Sequence, residues 1–333
     1  MATYPEIISQ LQNKQYKSLY LLHGAEPFFI DKITDFIQKN VLTEAEKSFN
    51  QTIFYGRDAD VGAIIETAKR YPMMADKQVV IIKEAQDLKR IEELDNYTSN
   101  PVSSTILVLA FKYKKPDGRK KVFKSIKKNG EVFESKPIYE NQMQKWVEEY
   151  IHQYKRKITP KATLLISEFI GTNLSLASNE IEKLFITIPE GGLIEDFTVS
   201  EVIGINKDFN NFELQNAIGH RDSKKAMQIA LYFADHQKEH PLVVTLSILG
   251  RYFSNLVLMY FNPNASKQDI ARMIGVIPFF VDEYFVAKSK HTAPGAVKAI
   301  ELIREYDLKS KGVNSASTPP GELLKELVFK LLQ

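Results

Sequence analysis

Hydrophobic and polar positions follow two alternating patterns along the first 140 residues. Short apolar runs rich in β-branched residues predict strands. They lie at Ser18–Leu22, Thr52–Tyr55, Gln78–Ile82, Thr105–Phe111 and Val132–Phe133. Between these runs, apolar residues recur at helical spacing, as at Val61, Ile64, Ile65 and Ala68. Strands that alternate with helices predict a parallel sheet covered by helices on both faces.

From about residue 140 onward the pattern is almost entirely helical. Thr159-Pro160 is a typical helix start, and Gly171 a typical helix end. The long stretch from Pro241 to Phe261 and four shorter stretches after it carry the same helical spacing. The predicted fold class is α/β plus all-α, in three parts: an α/β domain over 1–140, a small helical domain over 141–206 and a helical bundle over 207–333.

Composition narrows the classes of function. The 333 residues include no cysteine, which excludes disulfides, thiolate catalysis and cysteine-based metal sites. The net charge of +3 is too small to indicate nucleic-acid binding by itself. No uninterrupted apolar run approaches the roughly 20 residues of a membrane span, and no secretory signal opens the chain, so we expect a cytoplasmic protein without membrane contact.

The turn after the first predicted strand lies where a phosphate-binding loop belongs, but its chemistry does not fit. In the frame that starts at Gly24, the lysine position holds Ile30, and Pro27 lacks the amide hydrogen that would bind phosphate. Glu26 would repel phosphate. The strand that should supply magnesium-binding carboxylates is followed by Lys83, a cation. These losses predict a nucleotide-type domain that neither binds nor hydrolyses ATP; alternatively, the match to the frame is coincidental.

No metal site is predicted. His236 and His240 enclose Glu239 in the H-x-x-E-H spacing of one class of zinc protease. That chemistry requires both histidines on one helical face, but Pro241 disfavours a helical conformation for His240.

A second candidate site is the basic segment from Lys112 to Lys128, which contains a single acidic residue. Several of its lysines share one helical face, which suits contact with phosphates. The candidate DNA-binding residues are Lys115, Arg119, Lys120 and Lys124. The alternative is a solvated amphipathic helix.

The third candidate is Tyr71-Pro72-Met73-Met74, which precedes the Gln78 strand. Two adjacent methionines cannot both point into one core, because successive side chains diverge. Exposed methionine suits an adaptable binding surface. The alternative is that the pair fills the seam between sheet and helix.

Taken together, these segments resemble the family of bacterial DNA polymerase III clamp-loader delta subunits. The matching pieces span nearly the whole chain, and their order and spacing carry the resemblance. They are Tyr20 to Asp31, Phe49-Asn50, Pro72-Met73-Met74, Val79 to Ile82, Asp117 to Lys120, Trp146, Asn179 to Leu184, Asn211 to Leu214 and Asp307 to Lys311.

The resemblance implies an AAA+ type module with a helical lid, followed by a C-terminal collar domain that joins other clamp-loader subunits in a five-membered ring. It implies that the delta subunit opens the sliding clamp for loading onto primed DNA, without hydrolysing ATP. A hydrophobic pair at the tip of one domain binds the clamp in this family, and Met73 and Met74 match its position. Family members often carry Leu-Phe there, so Met-Met is a departure.

We therefore expect Tyr71, Pro72, Met73 and Met74 to bind the clamp, with no catalytic residue, cofactor or metal. The protein would act within the DNA polymerase III holoenzyme, a nucleotidyltransferase complex, and have no activity of its own. Two alternatives remain: an active AAA+ ATPase with an unusual loop, and a stand-alone DNA-binding protein that uses the basic segment.

Overall fold

The computed structural model describes residues 2–204, 209–313 and 318–333. The chain forms two compact units, Met1–Ile138 and Tyr139–Gln333. The predicted three-part division stays a prediction, and its second boundary, at residue 206, lies outside the described residues.

The first unit is built on a sheet whose strands are all parallel to their neighbours. Its strands are β1 (Leu19–Gly24), β2 (Gln51–Tyr55), β3 (Gln78–Lys83), β4 (Thr105–Lys112) and β5 (Glu131–Ser135). They lie in the order β2-β3-β4-β1-β5. Each predicted apolar run coincides with one of these strands to within two residues at each end.

Helices cover both faces of this sheet. They are α1 (Tyr4–Gln12), α2 (Pro27–Asn40), α3 (Glu44–Asn50), α4 (Val61–Lys69), α5 (Asp95–Thr98) and α6 (Lys121–Asn129). Alternate residues of β1 face opposite sides: Tyr20 packs with α1 and α2, whereas Leu21 packs with α4 and α6. The central strands are buried on both faces, which explains their continuous apolar composition.

The second unit is mainly helical. Its helices are α7 (Glu140–Gln153), α8 (Pro160–Ile170), α9 (Leu174–Thr187), α10 (Asp196–Ile203), α11 (Asn211–Gly219), α12 (Ser223–Asp235), α13 (Leu242–Phe261), α14 (Lys267–Ile274), α15 (Val281–Lys290), α16 (Ala293–Ser310) and α17 (Pro320–Leu331). The predicted start of α8 is correct, since the Thr159 hydroxyl accepts a hydrogen bond from the Ala162 amide. The parallel strands β6 (Lys157–Ile158) and β7 (Leu193–Ile194) were not predicted, because two residues show no periodicity.

Helix α13 is long and apolar enough to cross a membrane by length and composition, which the search for uninterrupted apolar runs did not detect. Within the second unit, 56% of its most apolar window is buried. Its inner face, which includes Leu249, Phe253 and Leu256, forms part of the largest core cluster of this unit. The burial accounts for the composition of this helix.

The predicted fold class is thus confirmed. A parallel α/β sheet occupies the first unit, and helices dominate from residue 139 onward.

Candidate functional site

The four residues Tyr71-Pro72-Met73-Met74, which we call the Met tip, lie at the edge of the sheet where the parallel strands begin. They follow α4 and precede β3. Tyr71 is 84% exposed, Met73 60% and Met74 102%, whereas Pro72 is half-buried. The alternative that the methionine pair fills the seam between sheet and helix is therefore wrong.

A buried side chain from the neighbouring strand connection holds the Met tip. Asn50 ends α3 directly before β2, and β2 pairs with β3, so both connections meet at the same edge. The Asn50 Nδ2 donates to the Met73 carbonyl oxygen at 2.9 Å, and the Asn50 Oδ1 accepts from the Met73 amide at 2.6 Å. Asn50 itself is only 2% exposed. The Met73 backbone is thus fixed while its side chain remains in solvent.

Two further features distinguish this edge. Met74 has φ of +53°, in the left-handed region that a residue with a Cβ adopts at a cost of roughly 1–2 kcal/mol. Phe49, the residue before Asn50, is 70% exposed. Exposed apolar side chains therefore stand on two adjacent strand connections, at Phe49 and at the Met tip.

The opposite edge of the sheet, where the strands end, is the position of the nucleotide-type loop. Glu26 is the N-cap of α2, and its own carboxylate accepts from the Phe28 amide at 2.9 Å. A carboxylate of the chain thus occupies the positive end of the helix, where a phosphate would bind. Ile30, in the lysine position of the frame, is fully buried in the core.

An internal ammonium group lies at the same edge. Lys112, the last residue of β4, places its Nζ 2.8 Å from the Asp31 Oδ1 and 3.5 Å from the Glu84 Oε1. Burial disfavours its charge, but Asp31 and Glu84 outweigh that effect, so the pKa of Lys112 is raised. This residue links α2, the end of β3 and the end of β4 by charge.

The end of β1 is closely packed against β5. Gly24 has φ of +142°, and a Cβ there would lie 2.0 Å from the Ser135 carbonyl oxygen. His23 is buried, and its Nδ1 has no hydrogen-bond partner among the described residues. Burial lowers the pKa of His23 below its usual value. The space beside Gly24 is therefore taken up by the chain itself.

The structure divides the four candidate DNA-binding residues. Lys115 lies 3.0 Å from Glu134, Arg119 lies 2.9 Å from Asp117, and Lys120 lies 3.2 Å from Glu92. The Arg119 guanidinium lowers the pKa of Asp117 to about 2. Lys124, in contrast, makes no ion pair with any residue in the described ranges.

Helix α6 presents a lysine face to solvent. Its inner side buries Val122, Phe123 and Ile126. Its outer side exposes four lysines, Lys121, Lys124, Lys127 and Lys128. None of these four makes an ion pair within the part of the chain that the structure describes. We call these four residues the lysine face.

The histidine pair of the second unit is engaged in packing. The His236 ring stacks on Tyr232 at 4.1 Å between centroids, and the His240 ring stacks on Phe233 at 4.0 Å. Helix α12 ends at Asp235, so the two histidines do not share a helical face. Over the described residues, no group of three or more histidine, aspartate or glutamate side chains has the arrangement of a metal site.

Comparison with known proteins shows a similarity to DNA polymerase III delta subunits. The family model "DNA polymerase III, delta subunit" matches residues 20–136, which hold the sheet and the Met tip. The DNA polymerase III subunit delta of Bacillus subtilis is 25% identical over 287 residues, covering 83% of this chain and 82% of that protein. The solved structure of the Bacillus subtilis DNA clamp loader delta protein YqeN covers 99% of both chains, with 21% identity and a TM-score of 0.55.

The chain has the fold of the solved clamp-loader delta protein: a parallel α/β unit followed by a helical unit. Residues 20–136 match the DNA polymerase III delta subunit family, and the chain is similar to a delta subunit over 83% of its length. The resemblance identified from the sequence is thereby confirmed.

Sequence reasoning did not find the contacts of two side chains, Asn50 and Lys112. Phe49-Asn50 contributed to the family resemblance, yet nothing in the sequence connects Asn50 with Met73, 23 residues away. Lys112 was counted among the basic residues, whereas its ammonium group lies between two carboxylates. Predicting such pairings requires knowledge of the order of the strands in the sheet, and local sequence patterns do not give that order.

Proposed function

We propose that this chain binds and opens the sliding clamp as the delta subunit of a DNA polymerase III clamp loader, and that it hydrolyses no ATP itself. The observation that carries this proposal is the exposure of Met73 and Met74 on a loop whose backbone is fixed by Asn50. The similarity to DNA polymerase III delta subunits supports the assignment of the partner.

The energetics define what the Met tip contributes. Burying one methionine stabilises a complex by about 1.5–3 kcal/mol, so the pair contributes at most about 3–6 kcal/mol. Nanomolar affinity requires about −12 kcal/mol, so a wider surface also makes contact. Opening the ring requires tighter binding to the open clamp than to the closed one, since equal affinity shifts no equilibrium.

The edge at which the strands end supports the absence of ATP hydrolysis. Glu26 occupies the positive end of α2, and Lys112 places a positive charge between Asp31 and Glu84. A nucleotide phosphate would meet the first carboxylate, and a magnesium ion would meet the ammonium group. We therefore propose that other subunits hydrolyse ATP and that the C-terminal helices of this chain bind those subunits. The chain would then have no enzymatic activity of its own and would act in the cytoplasm as part of the DNA polymerase III holoenzyme.

The test is clamp binding by the full chain and by the double variant Met73→Ala with Met74→Ala. We expect at least a ten-fold loss of affinity for the sliding clamp of the same organism, measured by surface plasmon resonance. The exposed pair Leu258→Ala with Val243→Ala, in the second unit, is the matched control. Unchanged binding by the methionine variant would contradict the proposal.

A second function, contact with primed DNA, is favoured by the lysine face of α6. Four exposed lysines that pair with no carboxylate of the described residues suit contact with phosphates, and each phosphate contact makes binding more salt-dependent. In the assembled clamp loader, replacing Lys121, Lys124 and Lys128 by glutamine should weaken DNA binding and flatten its dependence on salt concentration. An unchanged salt slope would indicate that the lysine face is only solvated. Tight DNA binding by the isolated chain would instead favour a stand-alone DNA-binding protein.

A further inference from the structure

We propose that Asn50 is a positioning residue for clamp binding: its buried side chain holds the Met73 backbone and so presents both methionines in one arrangement. This inference rests on the proposed function of the Met tip. It assigns a role to a residue that is only 2% exposed and so has almost no surface with which to contact a partner.

The carboxamide of Asn50 engages the peptide groups of Met73 as a neighbouring strand would. Its Oδ1 accepts from the Met73 amide at 2.6 Å, and its Nδ2 donates to the Met73 carbonyl oxygen at 2.9 Å. The same Nδ2 also donates to the Glu46 carbonyl oxygen at 3.1 Å, which fixes the side chain to α3. Both ends of the carboxamide are therefore occupied.

These two bonds are the only hydrogen bonds onto the backbone of residues 71–76 among the residues that the structure describes. On one side of the loop, the Arg70 amide donates to the Thr67 carbonyl oxygen. On the other side, the Gln78 Nε2 donates to the Thr67 carbonyl oxygen at 2.5 Å. Between these ends, among the described residues, Asn50 supplies the loop's only backbone hydrogen bonds, while Ala75 packs against the core.

The conformation that Asn50 holds is one the chain would not keep without support. Met74 lies in the left-handed region, and its side chain is fully exposed. A strained backbone persists only where the surrounding structure fixes it. Without Asn50 the loop would sample many conformations, and few of them would present Met73 and Met74 together.

The chemistry of the carboxamide makes the role specific. An aspartate has the same shape but lacks a donor, so it would place a negative charge against the Met73 carbonyl oxygen. A leucine has a similar volume but satisfies neither group of Met73. Because the apparent dissociation constant rises as the competent fraction of the loop falls, a fraction of about one tenth corresponds to about ten-fold weaker binding.

The experiment uses the full chain and two readouts. The first is amide hydrogen exchange at Met73 without any partner, which we expect to be slow in the wild type and fast in Asn50→Asp and Asn50→Leu. The second is affinity for the sliding clamp, which we expect to fall about ten-fold or more in both variants. Asn129→Asp is the matched control, because Asn129 also holds backbone carbonyls, those of Thr98 and Ser99, on a different loop.

A double-mutant cycle separates positioning from general destabilisation. In the Met73→Ala, Met74→Ala background, Asn50→Leu should cause little further loss of clamp affinity, because the side chains that it positions are already absent. A full additive loss, wild-type binding by both Asn50 variants, or fast exchange at Met73 in the wild type would each overturn the inference. Normal clamp binding by the methionine variant alone would instead contradict the proposed function.

Discussion

The two edges of the parallel sheet differ in the side chains that they expose to solvent. Where the strands end, charges are matched within the chain: Glu26 caps α2, and Lys112 pairs with Asp31 and Glu84. Where the strands begin, apolar side chains at Phe49, Met73 and Met74 are left in solvent. In many parallel α/β proteins ligands bind at the first kind of edge. In this chain the exposed apolar side chains lie at the other edge, where the strands begin. Exposed apolar side chains suit binding to a protein partner.

The largest expected effect on clamp binding among the following tests of the two edges is that of replacing Phe49. If the binding surface spans both strand connections, Phe49→Ala should weaken clamp binding by about five- to thirty-fold, equivalent to about 1–2 kcal/mol. Phe329→Ala removes a comparably exposed ring from α17 and should leave clamp binding unchanged. Isothermal titration calorimetry measures both variants, and equal affinities would confine the surface to the Met tip.

The next effect concerns the ion pairs at the opposite edge. Lys112→Met keeps the stem of the side chain but leaves Asp31 and Glu84 without their cation. Because both carboxylates are partly exposed, we expect a loss of only about 1 kcal/mol in the free energy of unfolding. Urea denaturation measures it. Clamp binding should not change; a loss of binding at constant stability would mean that the two edges are not independent.

A pH dependence is expected from the same edge. Since burial lowers the pKa of His23, the unfolded chain binds a proton more readily than the folded one, and stability falls as pH drops below about 6.5. The contribution of His23 to the slope cannot exceed about 1.4 kcal/mol per pH unit, the value for one proton. Burial also lowers the pKa of His240 and of His291, which contribute to the slope in the same direction. Thermal melts between pH 7 and pH 5 should show a flatter dependence for His23→Gln. An identical dependence would show that His23 does not contribute to the pH dependence.

The smallest expected effect is that of nucleotide. A ligand at 100 times its dissociation constant stabilises the folded state by about 2.7 kcal/mol. We expect millimolar ATP with magnesium to leave the melting temperature of the isolated chain unchanged. A clear rise with ATP turnover would support the alternative of an active ATPase.

The fold could be predicted from the sequence because its signals are local. Five apolar runs and the helical spacing between them predicted the parallel sheet, and Pro160 marked the start of α8. The exposure of at least one of the two methionines could also be predicted, because two adjacent apolar side chains cannot share one core. These properties depend on neighbours in the sequence.

The rest depends on contacts between distant residues. Several residues that carried the family resemblance prove to form internal contacts. Trp146 stacks on Tyr150, and the Tyr150 hydroxyl donates to Glu182 at 2.7 Å. Asn50 belongs to the same group, since its bonds to Met73 appear only when β2 and β3 are side by side. Sequence patterns show that such residues matter but not what they touch.

The ammonium group of Lys112 gives this edge of the sheet a permanent positive charge. The occupancy of a site by a free cation or nucleotide depends on the concentration of that ligand in the cell. The ammonium group of Lys112 is part of β4, so it is always present beside Asp31. This edge of the sheet would therefore stay in one state throughout the cycle of a clamp loader. Under the proposed function, any change in this subunit during that cycle would then be imposed by its partner proteins.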